Sequence, residues 1–156
     1  IEEPGYKYNM FDIQAALALT QLSRMDDMQR RRFEAVKVYE EAFADVPELR
    51  LQKTPDYCHH SRHLYVMRVV PERLTISRDQ FIEELKARNI GVSVHFIALH
   101  TMSAYRNRFG YKPEDFPKAY AFSESEISLP MYSTLGVKNA EYVADAVLDI
   151  VKKYKR

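Results

Sequence analysis

HLYVMRVVPERLTISRDQFIEELKARNIGVSVHF, residues 63–96, changes its hydrophobic period twice, and those changes decide the fold class. His63 to Val70 is rich in β-branched and aromatic residues and stops at Pro71, which reads as a strand. Ser77-Arg-Asp-Gln80 is a capping box: a serine oxygen and a glutamine three residues on satisfy each other's backbone N–H groups. Ile76 and Phe81 flank it as a hydrophobic staple. The helix it opens buries Phe81, Ile82 and Leu85. Asn89 suits a left-handed C-terminal position, and Gly91 follows. Gly91 to Phe96 (GVSVHF) then reads as a second strand.

On the N-terminal side the pattern is helical. Asp12 is a plausible N-cap for a helix with Ile13, Ala16, Leu17 and Thr20 on one face. A longer helix runs from about Met25 to Ala44, where Met25, Met28, Arg32, Val36, Tyr39 and Phe43 recur near the 3.6 period until Pro47. Leu49 to His60 reads as irregular. On the C-terminal side come a short helix over Ser103–Phe109, the loop Gly110–Pro113, a helical stretch over Glu114–Ser123 and a brief strand at Ile127–Leu129. The last helix starts near Lys138, with Val143, Ala146, Val147, Ile150, Val151 and Tyr154 on its buried face. This order is α+β: a small, mainly antiparallel sheet covered by helices on one face and preceded by two N-terminal helices. The division it suggests is residues 1–47 as an N-terminal segment and residues 48–156 as the small domain.

Composition narrows the function classes. The chain has 156 residues, 46% apolar and 29% charged, enough for a real core. Its 23 basic and 22 acidic residues leave a net charge of +1, which makes no case for nucleic acid or an anionic membrane. Gln29-Arg30-Arg31-Arg32 lies on the long helix between acidic residues and reads as a solvated face. The single cysteine, Cys58, excludes an internal disulfide framework and fits a reducing compartment. No apolar run approaches the ~20 residues of a membrane span, and no signal-peptide pattern is present. The chain opens on Ile1 without an initiator methionine, as a processed product or a fragment would.

Candidate chemistry is sparse. His59, His60 and His63 have spacing a metal site can use, but no carboxylate or second cysteine stands at a recognised offset. They read as a surface cluster or as substrate-facing imidazoles. His95 ends the second expected strand and His100 follows in HFIALH; strand ends are where sheets present functional side chains. From spacing alone, a functional histidine and a hydrogen-bonded structural one both stand. The four glycines lie far apart, so there is no phosphate-cradling glycine loop. Tyr105, Arg106, Arg108, Phe109 and Tyr111 allow stacking on a base or sugar, and equally plain packing. GYKYN, residues 5–9, concentrates two tyrosines, a lysine and an asparagine at an end where most domains fray.

Several motifs occur in register with one family. Gly5-Tyr-Lys-Tyr-Asn-Met, Asp12-Ile-Gln-Ala-Ala16 and Gln21-Leu22 resemble the opening of the C-terminal part of the DegT/DnrJ/EryC1/StrS nucleotide-sugar aminotransferases. The likeness continues through Arg31-Arg32, His63-Leu-Tyr-Val-Met-Arg68 and the His95 to His100 setting. Tyr105-Arg-x-x-Phe-Gly110 and Ser128-Leu-Pro130 complete it, so nearly the whole chain is covered. GYKYN is most similar to the branch that aminates a UDP-4-keto-pentose for lipid A modification.

The resemblance implies a dimeric, cytoplasmic, pyridoxal-phosphate-dependent enzyme of fold-type I. Such an enzyme takes the amino group from glutamate and places it on a keto carbon of a nucleotide-linked sugar. It implies that the covalent lysine lies in a large N-terminal domain, to which residues 1–47 link. None of the ten lysines here stands in the family's lysine context. The chain by itself is therefore expected to be inactive and not to hold the cofactor covalently. In the family, the segment matching GYKYN crosses to the partner's active site and touches the cofactor phosphate. The usual Asn-x-Arg is Lys7-Tyr8-Asn9 here; a lysine ammonium and an asparagine amide each suit a phosphate, so the expected ligand is Lys7 or Asn9. His95, His100 and Tyr105 match the substrate side of the cleft and are expected to contact the sugar nucleotide. The rival expectation is a stand-alone, non-catalytic interaction or regulatory module derived from that domain.

Overall fold

The computed structural model describes residues 3–156. Its elements in chain order are α1 (Asp12–Leu22), α2 (Met25–Phe43), β1 (Leu49–Leu51), β2 (Tyr65–Val69), α3 (Arg78–Ala87), α4 (Ser103–Phe109), α5 (Pro117–Ser123), β3 (Glu126–Leu129) and α6 (Val137–Tyr154). The class is α+β. The three strands form one antiparallel sheet in the order β1-β2-β3, with Arg50 opposite Arg68 and Met67 opposite Ile127.

Alternation along β2 explains how the sheet seats its helices. Tyr65, Met67 and Val69 point one way and are buried, joined on that face by Ile127 and Leu129 of β3. Tyr39 and Phe43 of α2 and Val147 and Ile150 of α6 belong to the same fully buried core. Only the second half of α2 takes part: Ala35, Val36, Tyr39 and Phe43 are buried, whereas Met25 and Phe33 are exposed. The Tyr39 hydroxyl donates to the Pro130 carbonyl at 3.0 Å, which satisfies a polar tip inside an apolar layer.

Local signals act as the sequence indicates. The Ser77 side chain accepts from Gln80 N at 3.2 Å, and Ser77 N donates to Gln80 Oε1 at 2.9 Å. A cap of this kind is worth roughly 1 kcal/mol. Asn89 has φ of 58°, the left-handed value its side chain tolerates. Four details differ from expectation. Asp12 is the first helical residue, and Gln14 Oε1 takes the Phe11 N–H at 3.1 Å in place of an aspartate cap. Leu49–Leu51, expected to be irregular, is a strand because it pairs with β2. The helical stretch expected over 114–123 is broken at Phe116, since the residue before Pro117 is pushed out of the helical region. The Gly91–Phe96 run is not a strand but makes one bridge, Ser93 to Ser128.

The last difference has a clear cause. Ser93 and Ser128 exchange both backbone hydrogen bonds, at 2.8 and 3.2 Å. The next bonded pairs on this antiparallel register would be Gly91 with Pro130 and His95 with Glu126. Pro130 has no N–H to give. The Glu126 carbonyl is taken by the Arg78 guanidinium at 3.0 Å, and the His95 N–H goes to the Glu126 carboxylate at 2.8 Å. A ladder that would run along β3 stops after one rung, and His95 is left beside Glu126.

Candidate functional site

Glu126 and Ser128 project from the same side of β3, two residues apart. Glu126 is fully buried and Ser128 nearly so. Ser128 Oγ lies 2.5 Å from Glu126 Oε1 and 2.9 Å from His95 Nδ1. The other carboxylate oxygen accepts the His95 N–H. His95 is thus held at backbone and ring by one carboxylate, directly and through one hydroxyl. Its ring meets Phe96 edge-on, with centroids 4.7 Å apart. Beneath, Arg78 is nine-tenths buried and donates from one nitrogen to the carbonyls of Ser123 and Glu126 at 2.9 and 3.0 Å.

His100 sits in a different setting. It is buried, and its Nε2 has no hydrogen-bond partner. Its ring packs on Phe116 and Tyr120, at 5.0 and 6.4 Å between centroids. Together with Tyr105, Tyr111, Phe116 and Leu99 it lines a cavity of about 360 Å³. Tyr105 is partly exposed and faces Phe109 at 6.4 Å. The structure therefore places His100 and Tyr105 on one aromatic cavity; His95 is not among the residues lining it.

Lys7 and Asn9 lie in the segment leading into α1 and are exposed. Among the described residues, no hydrogen bond or ion pair joins either to the rest of the chain. α1 itself has no buried residue: Ile13, Leu17, Leu19 and Leu22 are all exposed. On the outer face of the sheet Arg68 donates to Ser125 Oγ and the Ala121 carbonyl and lies over the Phe122 ring. Burial first, and then Arg50 opposite it, lower the proton affinity of this guanidinium. His60 takes the Arg62 N–H on Nδ1 and meets Gln52 on its other nitrogen; burial pushes its proton affinity down. Among the described residues, no group of three or more His, Cys, Asp or Glu side chains is arranged to hold a metal ion, and no helix is long and apolar enough to cross a membrane.

Glu126 and Arg78 are the residues sequence reasoning missed. Glu126 sits in SESEIS, which reads as a polar turn, and Arg78 sits inside the capping box. Local pattern carries no signal for Glu126: it alternates with Ile127 and Leu129 and so falls on the face opposite the apolar pair, which is buried here as well.

Solved structures share this fold over nearly its whole length. Spr1654 of Streptococcus pneumoniae in its PMP-form superposes with a TM-score of 0.86 at 35% identity, over 98% of this chain and 38% of that one. The aminotransferase PseC of Helicobacter pylori, involved in pseudoaminic acid biosynthesis, gives 0.83 at 26%, over 98% and 40%. The fold is thus one found within aminotransferases. The profile of the DegT/DnrJ/EryC1/StrS aminotransferase family matches residues 1–148, and the chain belongs to that family. The spore coat polysaccharide biosynthesis protein SpsC of Bacillus subtilis is 45% identical over 153 residues, covering 97% of this chain and 39% of SpsC. The chain spans about two fifths of the length of the relatives it matches.

Proposed function

We propose that these residues form the C-terminal domain of a pyridoxal-phosphate-dependent aminotransferase that moves an amino group from glutamate to a keto carbon of a nucleotide-linked sugar. The observation that carries this reading is the 45% identity to a polysaccharide biosynthesis protein within an aminotransferase family. Residues 1–47 lead from a large domain into the small one, and the second half of α2 joins the core of residues 48–156. The enzyme works as a cytoplasmic homodimer. The exposed face of α1 around Ile13 and Leu17 packs on the remainder of the enzyme.

The residues at hand suit the cofactor's periphery. Lys7 and Asn9 are exposed donors, with no carboxylate paired to Lys7 among the described residues, and a phosphate asks for such donors. All ten lysines are exposed, whereas a lysine tuned for covalent work is usually desolvated. On this reading the covalent lysine belongs to the large domain. When bound, pyridoxal phosphate supplies the electron sink for amino exchange. Lys7, or Asn9 in its place, holds its phosphate across the dimer. His95 presents its ring nitrogen to a substrate hydroxyl, and the cavity of His100 and Tyr105 takes an apolar or planar part of the sugar nucleotide.

The test supplies pyridoxal phosphate, glutamate and UDP-4-keto sugars and follows aminated sugar nucleotide. The enzyme containing these residues is expected to turn over, and residues 1–156 alone are expected to give neither product nor a shift in cofactor absorbance. Turnover by the chain alone would make one of its own lysines catalytic and overturn the division of labour.

A further inference from the structure

We infer that Glu126 and Ser128 are positioning residues that fix the tautomer of His95, keeping its proton on Nδ1 and offering Nε2 as a hydrogen-bond acceptor to the substrate. The inference rests on the reading that His95 faces the sugar nucleotide.

The direction of each hydrogen bond follows from what the groups can do. The His95 backbone N–H only donates, so Glu126 Oε2 accepts at 2.8 Å. The other oxygen lies 2.5 Å from Ser128 Oγ, in the range of a hydroxyl on an ionised carboxylate. Ser128 therefore spends its single proton on Glu126. Its oxygen, 2.9 Å from His95 Nδ1, is left to accept. The imidazole completes that contact only with hydrogen on Nδ1, and a neutral ring then carries a bare lone pair on Nε2. Nε2 has no partner among the described residues and is not one of the enclosed, unpartnered atoms.

The surroundings hold this order in place. Glu126 is fully buried, so it has no water to trade partners with. Arg78 occupies its backbone carbonyl, which keeps the His95 N–H on the carboxylate. The Ser93–Ser128 bridge fixes the distance between the two segments. A surface histidine needs none of this.

The discriminating variant is Glu126→Gln, which keeps the shape and replaces two acceptors by one acceptor and one donor. The His95 N–H retains the amide oxygen, so the amide NH₂ faces Ser128. Ser128 must then accept from the amide and donate to Nδ1, which moves the imidazole proton to Nε2. The tautomer is read by ¹⁵N NMR of histidine-labelled chain at about pH 8.5, above the ordinary imidazole range, with the signal assigned by its loss in His95→Gln. The expected result is Nδ1–H in the unaltered protein and Nε2–H in Glu126→Gln. Nε2–H in the unaltered protein, or one tautomer in both, overturns the relay. Ser128→Ala is a second arm: it removes the acceptor, and persistence of Nδ1–H there overturns the proposal equally. The spectrum needs no substrate, which separates it from the reading of the site. In the assembled enzyme, His95→Gln is expected to raise KM for the nucleotide sugar about tenfold, the effect of one lost hydrogen bond. An unchanged KM overturns the substrate-facing half and the site reading with it, whereas a wrong tautomer overturns the relay alone.

Discussion

Replacing Arg78 by methionine isolates one buried cation on which three segments converge. The guanidinium opens α3, donates to the Ser123 carbonyl at the end of α5 and to the Glu126 carbonyl in β3, and reaches exposed Asp79 with its Nε. The Asp79 contact contributes little, because that carboxylate is largely in water. The two carbonyl contacts are different: both are enclosed, and each loses a charged donor worth about 1.5–3 kcal/mol. Part of that sum returns, since a guanidinium no longer has to be held out of water. The net destabilisation expected is about 2–4 kcal/mol. For a domain of this size that lowers Tm by roughly 4–16 °C. Urea unfolding followed by circular dichroism should show a lower midpoint at unchanged slope. A loss below about 0.5 kcal/mol would mean that water or another donor reaches those carbonyls, and the account of the interrupted ladder would fall with it.

Three further tests probe other parts of the molecule. Glu84 is pulled down to about 2 by the Arg88 guanidinium first, then the Tyr154 hydroxyl and the Lys153 ammonium. Its folded value lies below its unfolded one, so its contribution is complete above about pH 4.5 and is lost as pH falls toward 2; Glu84→Gln should flatten the decline of Tm in that window, and an unchanged pH profile would refute the assignment. Arg50 faces Arg68 directly across β1 and β2, a like-charge pair; Arg50→Glu should stabilise by about 0.2–1 kcal/mol, and a fall in Tm would show that the outer face is not governed by that repulsion. In the assembled enzyme, Lys7→Ala should weaken pyridoxal phosphate about ten- to a hundredfold in an absorbance titration, the loss of one charge-assisted contact. Equal affinity there, with loss in Asn9→Ala, would move the phosphate contact to Asn9.

What the sequence made legible is what short-range chemistry determines. The Ser77 cap, the left-handed Asn89 and the apolar stripe of α6 each depend on residues within a few positions, and each stands as expected. That α1 is a helix was legible too, but not that its large apolar residues, which lie all round it, are exposed. β1 was not: Leu49–Leu51 carries three residues of weak signal and becomes a strand only by pairing with β2, close to twenty residues away. The site divides in the same way. His95, His100 and Tyr105 were proposed from family resemblance, which does not carry the fact that two of them share a cavity while the third lies elsewhere.

Glu126 shows most clearly where such reasoning stops, and why the stopping point matters. In SESEIS a glutamate reads as solvated, and a carboxylate is costly to bury without donors. The fold provides them from two directions: a backbone N–H from the segment that failed to become a strand, and a hydroxyl two residues along β3. The same contact that satisfies Glu126 therefore replaces the next rung of the ladder, so the broken strand and the buried charge have one cause. Had GVSVHF paired fully with β3, the His95 N–H would face the Glu126 carbonyl and the carboxylate would lose a donor. A local pattern favouring strand is set aside at the position where a polar network takes over, and His95 is the side chain that this exchange holds in place.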